Sequence, residues 1–131
     1  MVVGVDAELD DRSSVGQTED RIVSQWREVS ADESSHLRDQ FDEILRPLGF
    51  ETSLVVIRRA NSLALYFLCL TLSALLSLRD QWRSHRLRNI TESLFTVLSD
   101  ATHIIVRVKR LTWLVTDYER CVDFFGFSQS K

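Results

Sequence analysis

Two cysteines, three histidines and a run of arginines are the residues of this chain best suited to chemistry. Cys69 and Cys121 would act as nucleophiles only beside a base that holds the thiolate. Neither has an assigned base: Cys69 lies in an apolar run and Cys121 has Val122 beside it. Both are read as core thiols in a reducing compartment rather than as a disulfide pair. His36, His85 and His103 fall on different expected elements without ligand spacing, so each is read as solvated and no zinc site is expected. The acids Asp39, Asp42 and Glu43 belong to a solvated helix face, and Asp10 and Asp11 to the N-terminal stretch. Nothing shields them, so nothing would tune them for acid–base work. Glycines stand only at 4, 16, 49 and 126, which rules out writing a phosphate cradle, a dinucleotide fingerprint or a nucleophile elbow. No enzyme, no cofactor and no metal is expected.

The densest charge is in "RDQWRSHRLR" (79–88), where Arg79, Arg83, Arg86 and Arg88 surround Trp82. Such a stretch can hold phosphates with the indole as a stacking surface. The competing and preferred reading is a solvated helix face with Trp82 turned inward. An RNA-reading sheet would want exposed aromatics and a basic-glycine-aromatic strand, and "HIIVRVK" (103–109) has neither. The triplet Asn89-Ile90-Thr91 matches a glycosylation acceptor and is read as chance in a cytosolic helix.

The elements that carry these residues come from one domain's worth of chain. It has 131 residues, 44% apolar and 27% charged, ordinary globular values. The net charge of −3 divides into −7 over residues 1–50 and +4 over 51–131. Residues 1–17 show no sustained period and are read as a flexible acidic leader, without a signal peptide or a myristoylation glycine, so a cytoplasmic location is expected. Ile22, Trp26 and Val29 recur at helical spacing, with a strand over 21–29 as the alternative. Ser30-Ala31-Asp32-Glu33 reads as a capping box opening a helix over about 31–46, with Leu37, Phe41, Ile44 and Leu45 on one face. Pro47 and Gly49 end it.

"SLVVIRR" (53–59) then has the β-branched content of a strand. Sixteen uncharged residues follow, Leu63 to Leu78, and they admit two readings. A membrane anchor over about 60–78 needs roughly twenty apolar residues and reaches that only by including Asn61, Ser62, Thr71, Ser73 and Ser77. The preferred reading divides the run at Thr71. Before it lies a strand, 63–70, with Leu63, Leu65, Phe67 and Cys69 on one face and Ala64, Tyr66, Leu68 and Leu70 on the other. After it, Thr71 caps a helix over 71–84. A helix over 86–98, an alternating strand over 103–109 and a last helix over 111–125 complete the pattern.

The expected fold is α+β or α/β: a small, mainly hairpin-based sheet packed with helices as one domain, 18–126, ending in a short tail, 127–131. Strand 63–70 is apolar on both faces, and the helices cannot readily cover both sides of so small a sheet. An uncovered face including Tyr66 and Leu68 is therefore expected to bind another protein or another copy of the chain. The bases Arg79, Arg83, Arg86 and Arg88 are kept as secondary candidates for partner contact.

The stretch "SLVVIRRANSLALYFLCLTLSALLSLRDQWRSHRLRNITESL", followed by "IIVRVK" and a helix bearing "DYERC", resembles the N-terminal α/β domain of the tumour-necrosis-factor-receptor death-domain adaptors (TRADD-N-like). The likeness covers about residues 31–125 in its order of elements. It implies a non-catalytic adaptor in innate-immune or death signalling (apoptosis) that docks TRAF-type trimeric signalling proteins through sheet-edge and loop residues. The sequence reading is therefore a protein–protein interaction domain. A single-pass membrane protein and a nucleic-acid-binding module stand as alternatives.

Overall fold

The computed structural model describes residues 2–9, 15–31, 36–59, 62–99 and 106–129. In chain order they form β1 (Val2–Leu9), α1 (Val15–Ala31), α2 (His36–Leu45), a 3₁₀ turn (Arg46–Leu48), β2 (Thr52–Arg59), β3 (Leu63–Cys69), α3 (Leu72–Arg83), α4 (Arg86–Leu98), β4 (Val108–Trp113) and α5 (Val115–Gln129). The four strands make one antiparallel sheet in the order β2-β3-β1-β4. Thus β1 and β2 run the same way with β3 between them, and β3 and β4 run the same way with β1 between them. This is the doubly split β-α-β strand order of ferredoxin-like domains, an α+β fold.

The N-terminal stretch is not a leader. β1 is a central strand, hydrogen-bonded to β3 on one side and β4 on the other. Val3, Val5, Ala7 and Leu9 alternate into the core, and the acids Asp6 and Glu8 point to the other face. The alternation is masked in the sequence because Gly4 and Ala7 are small and the acids dominate the composition. Glycine is required at position 4 for close approach. A Cβ there would sit 2.7 Å from both Leu114 Cδ1 and Asp117 Oδ2, and 3.0 Å from Tyr66 Cε1. The Leu114 amide donates to the Gly4 carbonyl at 3.2 Å, so the start of α5 lies directly against β1.

The segment 18–29 is helical and belongs to α1, which buries Ile22, Val23, Trp26 and Val29. Ser30 falls in the last turn of α1, so it does not cap the next helix; Asp32 and Glu33 lie outside the described residues. The period of Ile22, Trp26 and Val29 outweighs the capping pattern, because burying an amphipathic face stabilises a helix more than one cap does. Helix 31–46 accordingly contracts to α2, which Pro47 and Gly49 terminate through the 3₁₀ turn, with Gly49 at φ +88°.

The uncharged run divides at Thr71. Thr71 is extended, and its hydroxyl accepts from the Ala74 amide at 3.1 Å, opening α3 directly after β3. Among the described residues no helix is long and apolar enough to cross a membrane. Loss of an N-cap costs about 0.5–2 kcal/mol, so Thr71→Ala should lower stability by that amount in a urea titration, whereas Thr71→Ser should be nearly silent. The joint between α3 and α4 turns on His85, the one non-glycine residue with positive φ among those described (+68°).

The last strand and helix are displaced from their expected positions. Val106 and Val108 are buried as the alternation requires, but the paired strand is Val108–Trp113, and α5 begins at Val115 rather than at 111. His103, Ile104 and Ile105 lie outside the described residues. Leu111 and Trp113 fit strand and helix periods equally. Cross-strand pairing to Ala7 and Val5 decides for the strand.

Candidate functional site

The register places every strand residue on one of two faces. Leu54 and Ile57 of β2, Leu63, Leu65 and Phe67 of β3, Val3 and Val5 of β1, and Trp113 of β4 point into one core beneath the helices. The opposite face carries Ser53, Val56 and Arg58, then Ala64, Tyr66 and Leu68, then Val2, Gly4, Asp6 and Glu8, then Arg110 and Thr112. The start of α5 lies against this face, through Leu114 and Asp117 at Gly4. Tyr66 and Leu68 are brought together on this face beside α5, each partly buried, while Val2 and Val56 are 42% exposed.

Arg58 covers the Tyr66 ring at 4.9 Å from its centroid and donates to its hydroxyl at 2.8 Å. The centre of the face is acidic. Burial pushes the Asp6 carboxyl above its ordinary value, and the charge of Glu8 adds to it. Lys109 stands 3.9 Å from Glu8 at the rim.

The arginines of 79–88 do not converge. Arg79 lies over the Tyr118 ring at 5.0 Å and donates to its hydroxyl at 3.3 Å. Arg83 and Arg86 are exposed at the end of α3 and the start of α4, and Arg88 faces Glu92 at 3.9 Å. Trp82 turns inward, donating from Nε1 to the Leu111 carbonyl at 2.8 Å and stacking at 5.7 Å on Trp113. It offers no platform to a base. Thr91, of the glycosylation triplet, is buried and donates to the Leu87 carbonyl at 2.7 Å.

Both cysteines are buried thiols. Cys69 is pushed up to about 11, chiefly by burial, and Cys121 is raised for the same reason. Its Sγ donates to the Val2 carbonyl at 3.4 Å, tying α5 to the sheet. An ordinary cysteine holds about a hundredfold more thiolate than Cys69 at the same pH. Alkylation by iodoacetamide at mildly alkaline pH should therefore be slow for the folded chain and complete within minutes in denaturant. Rapid native labelling of Cys69 would contradict this environment. His85 is exposed, and the side chain of His36 lies outside the described set.

Sequence reasoning left out Phe50 and did not carry Val55, Val56 or Leu70 among its contact candidates. Phe50 is fully exposed, and Leu70, 60% exposed, donates its amide to the Glu51 carbonyl at 2.9 Å. The signal was present: two successive valines break the alternation of β2, and the register shifts between Leu54 and Val56 as a bulge. No family model, curated protein or solved structure matches the chain.

Proposed function

We propose that this chain is a non-catalytic protein-interaction domain of adaptor type, acting in the cytoplasm and docking another protein on the sheet face that carries Tyr66 and Leu68. The observation that carries the reading is the asymmetry of β3. Leu63, Leu65, Phe67 and Cys69 are wholly covered, whereas Tyr66 and Leu68 stay partly accessible beside the exposed Val2 and Val56. Accessible apolar side chains grouped on one face, with charged ones among them, favour a contact site. Arginine and tyrosine, here Arg58 and Tyr66, are among the residue types enriched where binding energy concentrates. The order of elements, like that of death-domain adaptors, supports a TRAF-type trimeric signalling protein as the partner.

The test is calorimetric titration of the full chain with a purified TRAF-type trimer, repeated with Leu68→Asp and Arg58→Glu. Binding should weaken at least about tenfold in each variant while the circular-dichroism melt of Arg58→Glu stays unchanged. Binding that survives both changes removes the face from the account. A chain that binds no such trimer, stays strictly monomeric and shields Tyr66 from solvent quenchers overturns the function.

A further inference from the structure

We infer that the outer edge of β2 is a strand-addition site for a single extended segment of a partner protein, one carrying a bulky apolar side chain near an acidic residue. The inference rests on the interaction-domain reading but uses a different surface from Tyr66 and Leu68. The two edges of the sheet are unlike. Beside β4, the Val108 amide donates to Glu92 Oε2 at 3.1 Å, and the Leu111 carbonyl accepts from Trp82 at 2.8 Å. That edge is closed by side chains from α3 and α4. Among the described residues β2 pairs within the sheet with β3 alone, so its other side is the sheet's second edge, the kind of surface on which another strand can pair.

A cavity of about 510 Å³ follows this edge. Its walls include Thr52 and Leu54 from the core side of β2, and also Ser53 and Val55 from outside it. The hollow therefore wraps the rim of the strand instead of lying beneath the sheet. Across it stand Trp26 of α1 and Phe41 and Leu45 of α2, an apolar wall, with the fully exposed Phe50 also on the lining. The volume falls within roughly 300–1,000 Å³, the span of sites that hold a ligand.

The position of α2 decides the occupant. A second copy joined edge to edge would bring its own helices to the place where this wall already stands. A lone extended segment fits, because it supplies ladder hydrogen bonds to β2 and drops alternate side chains into the hollow. Charge narrows it further. Arg38, Asp42 and Arg46 line the cavity, and Arg38 reaches the Val29 carbonyl at 3.5 Å. Two cations against one anion leave a positive balance, which an acidic neighbour of the apolar anchor satisfies.

The experiment presents the full chain to a random linear-peptide display library, then titrates the enriched peptides into isotope-labelled protein. Enriched sequences should pair an aromatic or branched aliphatic residue with Asp or Glu and shift the amides of β2 and α2. Arg46→Glu and Leu45→Lys should each weaken them at least about tenfold without altering the circular-dichroism spectrum. Absence of enrichment, or peptides that bind both variants as tightly as the parent, overturns the site. Peptides that instead shift Tyr66 and Leu68 also overturn it while supporting the open-face function. Failure of the Leu68 and Arg58 variants to affect the trimer counts against that function and leaves this edge standing.

Discussion

A chain shortened to begin at Asp10 loses its native fold: near-ultraviolet circular dichroism flattens and amide dispersion collapses. Val3, Val5 and Leu9 are buried to 7% exposure or less, and each contributes about 1.5–3 kcal/mol. Together they approach the whole stability of a small domain, about 5–15 kcal/mol. The loss extends beyond side chains. Among the described residues β4 has no partner in the sheet other than β1, and β3 would be left with β2 as a bare hairpin. The hold of α5 through the Gly4 and Val2 carbonyls goes as well. A truncated chain that keeps its native spectrum would restore residues 1–9 to the status of a leader.

Phe67→Ala should cost about 3–5 kcal/mol in denaturant titration, and Leu68→Ala, its immediate neighbour, less than about 1 kcal/mol. Phe67 is 2% exposed and belongs to the single core, with Leu54 opposite it on β2. Removing the ring leaves a cavity that the packed layer of helices cannot collapse to fill. Leu68 faces the opposite side of the sheet and stays partly accessible, so truncation there opens space already in contact with water. Equal costs at the two positions would mean that both faces of β3 are covered, and the docking surface would be lost with the difference.

Much of this was legible in the residues themselves. The divide at Thr71 follows from a capping threonine placed between a period-two and a period-3.6 pattern, and the structure shows that cap. Helix 86–98 and the hairpin strands follow from strong local periods. The elements that were misplaced are those with weak or double-valued patterns. β1 alternates through small residues, and the turn from β4 into α5 satisfies both periods at Leu111 and Leu114. Tyr66 and Leu68 could be named as a face because they share a strand parity. Phe50 and the β2 edge could not, since their exposure depends on where α2 comes to rest.

By itself, the order of residues determined which segments coil, which extend and which side of each is apolar, because steric preference and hydrophobic period act within a few residues. Tertiary structure alone decided that residues 2–9 thread the middle of the sheet and that α5 comes to rest against them. It also decided that one edge is closed while the other faces a hollow. Those outcomes depend on contacts between residues far apart in the chain, which no local pattern encodes.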